Sequence, residues 1–482
     1  MICDGTPMLN VIVVIPAPAV PATYTYAKRV EAAGGYAQIV SIIAGGASSG
    51  SALGRVMATR SMVLCDVDST IGGGVIDFDL EICETQNAST DVAAVTARTA
   101  VVSNIVLLGV VIVAMLCLCV IWAFASSKGI RAASLDLCLP SSMLSVWIAV
   151  VPSCMSSATL LVARVGSSTC VGADVVLGIL GILIASLPGG AFMLLWASRA
   201  CGEKAAWVCV VKSERQNLLT EQWMIPRFAH RLLRRRFEWR LAAAGVMAAD
   251  EMKASWVVLL EYRDLRYGAL DASVLAAVSC VSVLSGLTGS ASECRGWSLV
   301  ALILMITLLM VLCTLRPLTS MFSMVISCVT LLLTVLGTIA QLVFVWALAT
   351  STSGLWLVYA SAILSLIVVG VSATKMVLDL HQLIAAIHRR ISALVQLPRP
   401  DDVPHLQTSV DDSFLAKLDG GTEMAVDMKS PTIITLMCPM MKTDDKEAEN
   451  LTLDDVRFWD TTGAALGTEQ VEGDHDILTS MR

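Results

Sequence analysis

The chain has 482 residues, 56% of them hydrophobic and 15% charged, against roughly 45–50% and about 25% in an average soluble domain. Its formal net charge of −7 belongs to the end of the chain: residues 401–482 hold 18 acidic and 6 basic side chains, so the first 400 residues are net basic. These proportions exclude an ordinary water-soluble domain and give no reason to expect a nucleic-acid partner; a basic membrane region facing anionic lipid suits them.

Residues 1–97 read as an extracytosolic remnant of mixed or β-like character. The first residues lack the positive charge of a secretory signal, and Pro16 and Pro18 interrupt the apolar stretch at 11–20. A start that passes directly into Cys3, Asp4 and Gly5 is expected of a chain beginning inside a longer protein. Short β-like runs at 11–15 and 76–82 alternate with Gly/Ser-rich turns. Residues 45–50 are Gly-Gly-Ala-Ser-Ser-Gly, but the Lys-Ser/Thr of a phosphate loop does not follow, so a flexible turn is expected there. Asn87 opens the sequon Asn87-Ala88-Ser89, an outside glycosylation site; Asn450 opens another that falls in the cytosol and stays bare.

Seven apolar segments follow, at 101–125, 141–163, 174–198, 269–290, 297–315, within 318–350, and at 355–374. Each reaches the ~20 residues a bilayer crossing needs. The sixth is about 48 Å long as a single helix, so tilt, a break at Gly337 or an interfacial end must absorb the excess. The expected fold is therefore an all-α polytopic membrane protein, with its bundle over 98–374 and a cytosolic tail over 375–482.

Orientation follows from Lys and Arg in short loops. Lys128, Arg131, Arg316, Lys375, Arg389 and Arg390 fall on one side, and only Arg164 and Arg295 on the other. This gives N-out and C-in, consistent with an odd number of spans. Trp122, Trp196, Trp297, Trp346 and Trp356 lie near span ends, where amphipathic rings anchor.

On the oxidising side this topology puts Cys3, Cys65, Cys83, Cys170 and Cys294. A bridge between Cys65 and Cys83 would close a compact run, and one between Cys170 and Cys294 would staple two outside loops; spacing alone does not choose the pairing. The remaining cysteines are expected as small apolar residues or free thiols.

Inside the spans, small residues recur at helical spacing: Gly178, Gly181, Ala185 and Gly189 in the third, and Ala272, Ala276, Ser279 and Gly286 in the fourth. They are expected to let helices approach closely. No Lys, Arg or Glu stands near the middle of a span, Asp174 and Asp271 lie at span ends, and Gln341 is the main polar residue at depth. That pattern argues against a proton-coupled transporter, although a pore lined by hydroxyls or backbone carbonyls would leave no such trace.

The polar loop over 199–268 contains Phe-Ala-His-Arg-Leu-Leu-Arg-Arg-Arg-Phe-Glu-Trp-Arg after Pro226. As a helix, Phe228, Leu232 and Trp239 share one face, while Arg231, Arg234, Arg235 and Arg236 supply charge for anionic inner-leaflet lipid. The tail beyond Pro398 is acidic and without periodicity, as a disordered segment would be. The five histidines have no metal-ligand spacing, and no nucleophile–base arrangement stands out, so neither an enzyme nor a cofactor is expected.

The stretch 39–65 (IVSIIAGGASSGSALGRVMATRSMVLC), then 137–161 (LCLPSSMLSVWIAVVPSCMSSATLL) and the entry Asp-Val-Val-Leu-Gly from Asp174 resemble the C-terminal membrane region of the dispersed gene family surface proteins of trypanosomes. The likeness covers about 30–380 of the chain. It implies a cell-surface, plasma-membrane glycoprotein that anchors an adhesive or interacting surface, with a surface or host partner. The outside portion here is far smaller than that family's extracellular region. Two other functions fit the layout: a channel of the transient-receptor-potential-like kind or transporter-like bundle, and a seven-span receptor. The receptor signatures Asp-Arg-Tyr and Asn-Pro-x-x-Tyr are missing.

Overall fold

A long apolar run can bury its backbone only by hydrogen bonding to itself, and in this chain the result is helix. The computed structural model describes residues 36–37, 39–40, 47–60, 62, 65, 74–76, 78, 92–127, 129–167, 170–201, 206–211, 236–242, 246–288, 290–347 and 355–395. The chain divides into two units, Met1–Ile384 and Ala385–Arg482. In the second unit the described part is helical, ending at Val395.

The first unit opens with α1 (Ala47–Thr59) and α2 (Val92–Ser126), followed by the short α3 (Ile130–Asp136). Next come α4 (Leu144–Ala163) and α5 (Val171–Leu195), the latter continued by a π-helical turn at Trp196–Ala200. Strands β1 (Trp207–Val211) and β2 (Phe237–Leu241) pair antiparallel, with Trp207 opposite Leu241 and Val211 opposite Phe237. The short α6 (Val246–Ala254) and α7 (Trp256–Glu261) precede α8 (Leu265–Leu287), α9 (Ala291–Leu315), α10 (Met321–Ala347) and α11 (Leu355–Val395).

Among the described residues, seven helices are long and apolar enough to cross a bilayer: Val92–Ser126, Ser141–Ala163, Val171–Ala200, Leu265–Leu287, Ser292–Leu315, Met321–Trp346 and Trp356–His381. They coincide with the seven apolar segments of the sequence. The sixth is continuous through Gly337, which leaves no helix break there. Local chemistry sets several boundaries. Asp264 caps α8 by accepting the Arg266 N–H at 3.0 Å. Arg316 ends α9 in the left-handed region, and Pro317 cannot extend the helix.

One expectation is corrected, and one element was not anticipated. The expected β-like run at 11–15 and most of that at 76–82 lie outside the described residues, and the two-stranded sheet falls in the connection between α5 and α8. Residues 47–50, expected within a flexible turn, form the first turn of α1. The described parts of 1–97 also pack on the bundle. Asn104 accepts the Val75 N–H at 3.2 Å, and Ser103 accepts that of Phe78 at 3.3 Å.

The small-residue stripe of α5 does what its spacing suggests. A Cβ on Gly181 would lie 2.8 Å from the Ala158 Cβ and 3.0 Å from the Cys154 carbonyl oxygen of α4, whereas one on Gly190 would meet nothing within 4 Å. Gly181→Leu should therefore destabilise the purified protein by roughly 1–3 kcal/mol or more through overpacking, with Gly190→Ala near neutral. Thermal unfolding in detergent checks both.

Candidate functional site: a charged helix inside the bundle

α1 is small-sided, with Ala, Ser or Gly at eight of its 13 positions, and 11 of the 13 are buried. A helix so covered has neighbours on every side. It packs against α4, α8 and α10. Gly54 marks the tightest approach: a Cβ there would come within 2.9 Å of Pro152 on α4 and 3.0 Å of Leu275 on α8.

The next residue brings a charge into this crowded interior. Arg55 Nη1 donates to Asp271 Oδ1 at 2.5 Å and to Ser51 Oγ at 2.6 Å. Ser51 Oγ donates in turn to Asp271 Oδ2 at 2.7 Å, closing a ring of three side chains between α1 and α8. Arg55 and Asp271 are 3% and 4% exposed. A charge buried this deeply is tolerated only when paired and hydrogen-bonded.

A second constellation holds the start of α1. Glu261, the last residue of α7, accepts the Ser48 N–H at 3.1 Å, so its carboxylate caps the α1 N-terminus from another element. Lys375 of α11 donates to Glu261 Oε1 at 3.0 Å and to Ser48 Oγ at 2.6 Å, with Asp379 3.5 Å away. Burial works to raise the Glu261 carboxyl, but the Lys375 charge and the Ser48 hydrogen bonds hold it below its ordinary 4.5. Burial, with Glu261 and Asp271 nearby, pushes the neighbouring Tyr262 phenol well above its usual 10.0, keeping it protonated.

The far end of α1 is fixed covalently. Cys65 is disulfide-bonded to Cys294 near the start of α9, and the Cys294 sulfur of that bridge lies 3.6 Å from the Met62 carbonyl oxygen. Between Ser48 and Cys65 the chain therefore passes from the end of the bundle bearing α7 to the opposite end, where α8 turns into α9.

Polar side chains line the surroundings. On α10, Ser327, Thr330, Thr334, Thr338 and Gln341 are buried, while Val325, Val329, Leu332, Leu336, Ile339 and Val343 are exposed. Most hydroxyls bond back to their own helix, as Thr334 does to Thr330 and Thr338 to Thr334. Gln341 Nε2 donates to Ser361 Oγ of α11 at 2.8 Å. Several buried atoms have no protein partner: Ser49 Oγ, Arg55 Nε, Tyr262 OH, Gln341 Oε1 and Ser372 Oγ. A separate buried pair, Arg98 with Asp174, joins α2 to α5 at 2.5 and 3.0 Å.

The expected site residues fare unevenly. Cys65 and Cys294 bond to each other, so the anticipated Cys65–Cys83 and Cys170–Cys294 bridges do not form: α1 brings Cys65 to the α9 end. Cys170 is disulfide-bonded, and so is Cys201, which was expected as a free thiol. Cys83, Asn87, Phe228, Arg231, Leu232, Arg234 and Arg235 lie outside the described residues. Trp239, expected on the lipid face of a helix, is instead buried in β2, its indole N–H donating to the Tyr262 carbonyl at 3.0 Å. Arg236 is exposed just before that strand and donates its backbone N–H to Thr319. The absence of Lys, Arg and Glu from the middle of the seven spans did not cover α1, a short helix outside them that brings Arg55 into the interior. Comparison with protein-family models, curated proteins and solved structures gave no match.

Two outcomes follow. Asp271→Ala leaves the Arg55 charge uncompensated and should cost roughly 3–5 kcal/mol, most of it recovered by adding Arg55→Met; a double-mutant cycle in detergent measures this. The depressed Glu261 carboxyl contributes stability that is present above about pH 4.5 and lost as pH falls through its lower folded value. Unfolding midpoints followed from pH 7 downward should lose this contribution only in that acid range, and Glu261→Gln should remove the dependence.

Proposed function

We propose that the chain is an integral membrane protein whose bundle passes a small polar solute or ion, with α1 as the plug of its hydroxyl-bearing interior. The observation that carries this reading is the Arg55–Asp271 pair, buried among helices of spanning length on a helix far shorter than a bilayer crossing. Holding a bundle in lipid needs only apolar helices, and desolvating each ion costs several kcal/mol. Ionisable groups kept inside a spanning bundle mark substrate or ion paths, and short or interrupted helices carry such sites in transporters. The partnerless hydroxyl, amide and guanidinium atoms nearby add hydrogen-bonding capacity beyond what the protein uses.

In this reading the segment from Ser48 to Cys65, of which α1 is the helical part, runs from one end of the bundle to the other. Arg131, Arg199 and Arg316 lie at the end of the bundle where Glu261 meets Ser48, and the charge rule puts that end in the cytosol. Asn87, just ahead of α2, then remains extracytosolic. The N-terminus of α1 itself then lies at the cytosolic end, against the N-out expectation. The lipid bilayer and its anionic inner-leaflet headgroups remain the partners in this reading, with the exposed Arg236 available to them.

A cell-surface anchor, the function implied by the resemblance to the trypanosome family, is the second reading. The Cys65–Cys294 tie and the closed ion pairs favour it, because both suit a static bundle. Purified protein in liposomes separates the two. The plugged-path reading expects flux of alkali cations, halides or small neutral solutes that Asp271→Asn changes several-fold, a ~1 kcal/mol effect or more. An impermeable bilayer for every solute, with wild type and with the Gly54→Leu variant that displaces α1, would leave the anchor. Glycosylation at Asn87 together with labelling of Tyr36→Cys from the same face as Arg131→Cys checks the orientation.

A further inference from the structure

The two ends of α1 are held by different chemistry. At one end the Cys65–Cys294 bond is permanent under oxidising conditions. At the other, four side-chain and backbone groups meet through hydrogen bonds and charge alone: the Ser48 N–H and hydroxyl, the Glu261 carboxylate and the Lys375 ammonium. The backbone under Glu261 is firmly placed. Its carbonyl accepts the Thr319 N–H at 3.1 Å, and the next residues receive a bridge from Leu318 and the Trp239 indole N–H. What can let go is therefore the side-chain contact to α1, while the scaffold beneath it stays.

We propose that Glu261 and Lys375 form a releasable latch on α1, a helix tethered at its far end by the disulfide, and that release of this latch opens the interior from the end bearing β1 and β2. This rests on the reading of α1 as a plug. Glu261 and Lys375 are positioning residues: they touch α1, not the passing solute. Three features support a latch over a simple structural pair. Glu261 acts as the N-terminal cap of a helix to which it is not joined in sequence. Ser49, in the same first turn, and Ser372, one turn before Lys375, each carry a buried hydroxyl with no protein partner, so this end of α1 holds unspent polar capacity. The sheet that contacts Tyr262 through Trp239 adjoins Glu261 directly, which gives the surface layer a mechanical route to the plug.

The test uses full-length protein in liposomes with Ser49→Cys as reporter, probed by a membrane-impermeant maleimide. With the latch intact the thiol is protected. Glu261→Gln, and separately Ser48→Pro, which deletes the capping N–H yet suits the first turn of a helix, should each speed labelling on the order of tenfold, the effect of losing one hydrogen bond to a charged group. Exchanging the pair (Glu261→Lys with Lys375→Glu) keeps the net charge but puts a cation at the cap and a carboxylate beside Asp379, so it should leave the thiol reactive. Protein recovered monodisperse with its Cys65–Cys294 bond intact reports that the bundle has folded. Unchanged protection in both single variants overturns the latch. Faster labelling with no change in solute flux upholds the latch and overturns the conducting path, so the two ideas fail separately.

Discussion

The helices around α1 are arranged by the need to neutralise it. A helix that brings a guanidinium into a water-excluded interior is stable only if a carboxylate is waiting, and Asp271 on α8 is that carboxylate. The requirement propagates. Ser51 must stand one turn before Arg55 to bond the second carboxylate oxygen, and Gly54 must lack a side chain so that α4 and α8 come near enough for the ring to close. The same logic operates at the N-terminus, where Lys375 and Glu261 compensate each other while Glu261 also caps the helix.

The polar interior and the apolar exterior are two faces of the same helices. α10 turns Ser, Thr and Gln inward and Val, Leu and Ile outward. In water the reverse would hold, because an apolar face seeks the core. In lipid the outside is already apolar, and helix association draws on small residues and hydrogen bonds instead. Gly181 against Ala158 and Gln341 against Ser361 are examples of each.

Most of the helical layout was legible, since a run of twenty apolar residues admits few alternatives. The same criterion concealed α1. Thirteen residues rich in Ala, Ser and Gly are too short and too weakly apolar to register as a crossing, and an Arg inside them discourages the idea further. A signal was present: Ser51, Gly54, Arg55 and Ala58 recur at helical spacing. Its meaning depended on Asp271, 216 residues away, which no local pattern connects to Arg55. From the sequence Asp271 reads as a span end, and α8 does begin only six residues earlier, at Leu265. The β2 strand was mistaken for helix because its basic lead-in has no breaker. The alternation of Phe237, Trp239 and Leu241 on one side of the strand was the better guide, and Trp239 is the buried member.

The separation between Arg55 and Asp271 also fixes an order of events during synthesis. At roughly 5–20 residues per second, the arginine leaves the ribosome tens of seconds before its carboxylate exists, and Cys294 follows Cys65 by 229 residues. A helix made early is thus seated late. Until α8 and α9 have been delivered, the nascent chain has to keep a charged, incompletely housed segment waiting, which makes the interval between those two residues the vulnerable period of its biogenesis.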